Sequence, residues 1–134
     1  MLQAYSENIT VNSQSAVPFN TVVIEKGTTV RQQGNTFLFE KAGIYCVVVT
    51  ASVAPSAQGE ILIDLQKDNQ TLKYAAAQVS GTADSTSNLS FTTLVRCPQN
   101  NTPCCVSAPT AIQVWNDSDV NLGGDFNIVV TKIC

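Results

Sequence analysis

The chain has 134 residues, enough for one domain with a real hydrophobic core. Hydrophobic residues make up 44% and charged residues only 13%, and the polar remainder is mostly Ser, Thr, Asn and Gln set between apolar runs, which excludes a disordered chain. The net charge of -3 and the scatter of Lys26, Arg31, Lys41, Lys67, Lys73, Arg96 and Lys132 argue against a nucleic-acid partner, which calls for a basic face.

The first residues, Met1 to Asn8, carry neither a basic segment nor an apolar segment of the secretory kind, and they are expected to form an N-terminal arm. The chain is expected either to be made and kept in a cytoplasm or to leave by another route, such as lysis. The apolar stretch around Ile44–Val49 is too short to span a bilayer, so no membrane partner is expected.

No segment keeps a helical period. Turn signals recur every eight to twelve residues or so, the spacing of a sandwich or barrel. Ile9–Val11 and Val17–Ile24 read as short early strands, followed by a turn at Glu25-Lys26-Gly27. Val30–Gln33 and Thr36–Glu40 flank Gly34-Asn35, a dipeptide that tolerates positive φ and so suits a hairpin. Ile44–Val53 is β-branched and apolar on both faces, the pattern of a central strand covered on both sides. It includes Cys46, read as a small core hydrophobe.

Glu60–Lys67 alternates, with Ile61, Ile63 and Leu65 on one side and Leu62, Asp64 and Gln66 on the other. Asp64 is the one carboxylate inside a strong strand, and a solvent-facing position is expected for it. Thr71–Val79 follows a turn at Asp68-Asn69-Gln70 and reads as a strand with small residues at Ala75-Ala76-Ala77. Ser80–Asn88 reads as a polar loop, and Leu89–Cys97 as a strand. Ala111–Asn116 and Phe126–Ile133 close a single domain spanning 1–134, with Gly123-Gly124 as the tight connection before the last strand.

The chain has no histidine, which removes the usual general base and the commonest metal ligand. Ser-His-Asp and Cys-His sites are thereby excluded, leaving only Ser-Lys or two-carboxylate chemistry. Most carboxylates fall at expected turns, where Asp bends the backbone. Asp117-Ser118-Asp119 lacks the spacing of a calcium loop, and Gly123-Gly124 lacks the lysine of a phosphate loop. No catalytic residue, cofactor or metal site is therefore expected. Of the five cysteines, Cys97, Cys104 and Cys105 flank one loop and are candidates for a disulfide across it, and the odd count leaves at least one thiol unpaired within the chain.

Three stretches carry a family resemblance: Phe37-Leu38-Phe39-Glu40-Lys41-Ala42-Gly43-Ile44-Tyr45, the strand Ile61–Lys67 with its turn Asp68-Asn69, and Ile112–Asn116 through Asn127–Ile133 with a Thr-Lys-Ile finish. Together they resemble the tumour-necrosis-factor-like jelly roll, which includes complement heads, bacterial collagen-like tip domains and bacteriophage head-fibre and decoration domains. The resemblance implies an all-β jelly-roll sandwich of two antiparallel sheets, about eight to ten strands, assembled as a homotrimer without enzymatic activity. It points to a tailed-phage virion protein docked on a capsid or other virion protein, placed at the virion surface after synthesis in the host cytoplasm. The alternative is a receptor-binding or adhesion tip that grips a host surface glycan or protein, on a phage tail fibre or on a bacterial cell or spore surface.

Overall fold

The computed structural model of the chain describes residues 1–27, 29–97 and 110–134. Cys104 and Cys105 lie outside the described residues. Eleven strands are present among the described residues: β1 (Leu2–Val11), β2 (Ser15–Ala16), β3 (Thr21–Glu25), β4 (Val30–Gln33), β5 (Thr36–Phe39), β6 (Gly43–Pro55), β7 (Gly59–Lys67), β8 (Gln70–Gly81), β9 (Ser87–Cys97), β10 (Thr110–Asn116) and β11 (Leu122–Lys132).

They form two antiparallel sheets. One has five strands in the order β3-β1-β11-β6-β9; the other runs β4-β5-β10-β7-β8, with β2 attached to β10. Only β4–β5 and β7–β8 are hairpins within one sheet, and every other step along the chain crosses to the opposite sheet. That connectivity is a jelly roll.

The core forms because each strand alternates. Val47, Val49, Ala51 and Val53 on β6 and Phe126, Ile128 and Val130 on β11 face Ile61, Ile63 and Leu65 on β7 and Ile112 and Val114 on β10, all of them buried. Aromatic contacts fill the rest of the interior. Phe39 stacks on Tyr45 of the opposite sheet at 4.1 Å between ring centroids, and Phe19 meets Phe37 edge-on at 5.5 Å. The Tyr45 hydroxyl stays satisfied by donating to the Lys41 carbonyl at 2.6 Å.

Several expectations from sequence differ from the fold. Residues 1–8 are not a free arm but most of β1, paired with β11 on one side and β3 on the other. The strand expected over Val17–Ile24 is broken: β2 ends before Val17, the chain passes through Pro18, and β3 begins at Thr21. Proline has no N–H for the ladder, which accounts for the break. β6 is not covered on both sides, since Ile44, Cys46 and Val48 are half-buried on the outer face of the five-stranded sheet. Cys46 is therefore not a core residue. Gly123 and Gly124 lie inside β11 rather than before it. At Gly124, φ is +149° and an added Cβ would run into the Ser52 carbonyl oxygen, so glycine lets β11 approach β6 there.

Candidate assembly surface and buried carboxyl pair

Strand alternation gives the five-stranded sheet a largely uncharged outer face. On the five-stranded sheet the pairs Gln3–Val129, Val129–Val48 and Val48–Thr92 make one continuous row across β1, β11, β6 and β9. The next row runs Thr131–Cys46–Leu94. These side chains are apolar or neutral, and the charged residues Glu7, Arg96 and Asp125 stand towards the two ends of the strands.

The exposed large hydrophobics are lopsided. Val22, Val23 and Ile24 on β3 and Leu94 on β9 belong to the five-stranded sheet, and Met1 and Ile133 continue its strands at the margin. Only Tyr74, among the described residues of this kind, lies on the other sheet. A broad neutral face with an apolar edge has little charge to desolvate, which is the composition of an interface core. At one end of this face a cleft of about 490 Å³ is lined by Tyr5, Glu7, Thr50, Ser52, Asn88 and Asp125 among others. Its lining mixes hydroxyls, amides and two carboxylates with the apolar Ala51, Leu89 and Phe126.

The six-stranded sheet holds the unexpected feature. Asp64 sits on β7 between Ile63 and Leu65, opposite Trp115 of β10 and Ala76 of β8, and is only 2% exposed. It does not face solvent as its alternation suggested. The neighbouring strand β8 carries three extra residues here, because Asp64 pairs with Ala76 and Leu65 with Leu72. Asp117, just past the end of β10, lies within hydrogen-bonding reach of the Asp64 carboxyl. Oδ1 of Asp64 is buried and has no hydrogen-bond partner among the described residues. Burial, then the hydrogen bond and charge of Asp117, push the Asp64 carboxyl up to about 7.

Beside this pair, Asn116 and Ser118 knot three segments together. Asn116 is fully buried, and its amide nitrogen donates to the carbonyls of Val11, Asn12 and Val120 at 3.1–3.2 Å. Its Oδ1 accepts the Ser118 N–H at 3.1 Å, and the Ser118 hydroxyl accepts the Leu62 N–H at 2.8 Å. Ser13 donates its hydroxyl to the Ser118 carbonyl at 2.6 Å and its N–H to Asn121 Oδ1 at 2.8 Å. The Asp117-Ser118-Asp119 segment is thus the anchor of a loop cluster at one end of the sandwich.

Sequence reasoning located Asp64 and Asp117 separately but did not bring them together. It also missed Asn116, whose buried state follows from a strand-end position that no local pattern marks. Of the cysteines considered for a disulfide, Cys97 is buried with Sγ 3.7 Å from the Phe39 carbonyl oxygen, and Cys104 and Cys105 lie outside the described residues. No group of three or more acidic or cysteine side chains gathers in a metal-binding arrangement among the described residues.

No protein-family model matches the chain, and no curated protein matches it in sequence. Solved structures do. The Eiger TNF of S. frugiperda superposes with a TM-score of 0.72 at 13% identity, covering 99% of this chain and 92% of that one. The globular domain of zebrafish complement 1qA gives 0.62 at 13% identity, covering 96% and 94%. The vertex protein P5 of phage PRD1 gives 0.63 at 15% identity, covering 99% and 96%. Identities this low establish architecture alone, and the strand order, the two sheets and these neighbours together make the chain a TNF- and C1q-like jelly roll in fold.

Proposed function

We propose that the chain is a non-enzymatic structural protein that assembles as a homotrimer through the outer face of its five-stranded sheet, and that it serves as a capsid decoration or head-fibre protein of a tailed phage. The observation that carries this reading is the outer face of the five-stranded sheet, neutral across four strands and flanked by the exposed apolar residues of β3 and Leu94. A closed ring of three copies would bury that surplus surface, as cyclic oligomers do. The virion setting is supported by the likeness to a phage vertex protein that covers nearly all of both chains.

The non-enzymatic part rests on the residue inventory and on access. With no histidine, two-carboxylate chemistry is the main route left, and the one carboxyl pair described here holds its Asp64 member out of reach of any substrate. The virion surface is the proposed location, after synthesis in the host cytoplasm.

A second reading, a receptor-binding or adhesion tip, is favoured by the tied loop cluster at Ser13 and 117–121, since recognition loops are commonly held on a rigid scaffold. Adding the purified protein to capsids of the phage that encodes it, in a strain lacking the gene, separates the two. Saturable rebinding at regular capsid positions supports decoration. Binding to host cells but not to capsids supports the tip.

A further inference from the structure

We propose that Asp64 and Asp117 share a single proton, and that this proton latches the loop 117–121 to β7 and releases it when it departs. The observation behind it is geometric. Asp64 is 2% exposed, one of its oxygens has no partner, and Asp117 lies two residues beyond its cross-strand partner Trp115, tied to Leu62 of β7 by its backbone N–H. Two neighbouring carboxylates repel strongly in a dry environment, and a proton between them removes the repulsion and supplies a hydrogen bond.

No cation does this work instead. The charged or titratable side chains on the surrounding elements are Asp117 and the exposed Asp119 after β10, Lys73 and Tyr74 on β8, Glu60 and Lys67 on β7 itself, and the exposed Asp68 at the β7–β8 turn. Lys73 and Tyr74 are exposed. The 110–116 and 12–16 segments carry no charge. Among the described residues the one ion pair is Arg31–Glu40, on other strands. The Asp64 carboxyl, up to about 7, is consistent with a proton held to near-neutral pH.

The consequence is mechanical because Asp117 is bonded into the latch. Its N–H donates to the Leu62 carbonyl at 3.0 Å, and its own carbonyl accepts from Gln14 Nε2 at 3.1 Å. Ser118, next in sequence, closes on Leu62 through its hydroxyl. When the proton leaves, the Asp117 side chain is driven from β7, and the loop with the 12–14 segment loosens with it. The loop cluster at this end is therefore ordered in mildly acidic conditions and loosened in alkaline ones.

Amide hydrogen exchange on the full chain between pH 5.5 and 8.5, corrected for intrinsic rates, tests this. The reporters are the N–H groups of Leu62, Asp117, Ser118 and Ser13, with amides of the β6–β11 ladder as reference. The expected result is at least a tenfold greater loss of protection at the reporters than in the ladder as pH rises, and no such excess in Asp64→Asn. The same excess loss in wild type and variant, or none in wild type, overturns the proposal. A carboxyl ¹³C titration of the wild type keeps the test independent of how the variant folds. A midpoint near neutral for Asp64, lowered by Asp117→Asn, is expected, and a midpoint in the ordinary carboxylate range overturns the latch.

Discussion

Asn116 carries the largest share of polar bonding of any single side chain described here. It sits with no exposed surface at the end of β10 and satisfies three carbonyls and one N–H from two segments. Removing its amide leaves those groups buried and unpaired, which is costlier than losing the bonds themselves. Asn116→Ala is expected to lower unfolding stability by about 2–4 kcal/mol in urea titrations. Gly124→Ala is expected to cost a similar amount, about 2–4 kcal/mol, because the positive φ and the Ser52 carbonyl both oppose a side chain. Asp64 adds a pH dependence of definite sign. Its folded-state value, about 7, lies above its unfolded value of 3.8, so the folded chain holds a proton that the unfolded chain gives up. The stability it contributes is full below pH 4 and is lost as pH rises through 7. The difference in unfolding free energy between wild type and Asp64→Asn should therefore shift against the wild type across that window, by an amount on the order of 3 kcal/mol. A flat difference from pH 4 to pH 8 would contradict the burial of an ionisable Asp64.

At the level of elements, most strands are legible in the sequence. β6, β7, β9, β10 and β11 show through as β-branched runs with a two-residue period. β1 does not, because its inward residues are Leu2, Ala4 and Ser6, and two of these are too small or too polar to signal a buried face. The early strand splits at Pro18 because the chain must pass from one sheet to the other there. The continuous apolar character of β6 is a misleading cue. It suggests cover on both faces, whereas within one chain only the inner face is covered. The carboxyl pair is illegible for a related reason. Alternation places Asp64 on the outer face, but what lies over it depends on β10 pairing with β7 and on the extra residues in β8, both set by tertiary register. β3 is the most exposed element, with Val22, Val23 and Ile24 each 40% or more open. An apolar edge strand invites pairing or packing with another chain. Val23→Lys is expected to leave the melting temperature of the isolated chain within a few degrees while weakening self-association by at least tenfold, measured by sedimentation equilibrium. A folded variant with unchanged association would remove β3 from the interface.

The whole molecule joins a closed interior to one unfinished surface. Its core is completed by side chains from both sheets, yet the five-stranded sheet presents Val48, Val129 and Leu94 outward with no layer above them among the described residues. The fold shared with Eiger TNF and complement 1qA accounts for the two sheets and the strand order. The proposed assembly rests on this chain's own outer face, and the proposed virion setting on the likeness to a phage vertex protein. Light scattering coupled to gel filtration, at micromolar concentration, tests the central claim most directly. The account predicts a single species at three times the chain mass of 14.3 kDa for the wild type, and a folded monomer for Val129→Lys. A wild-type monomer at that concentration, or a trimer undisturbed by Val129→Lys, would contradict it.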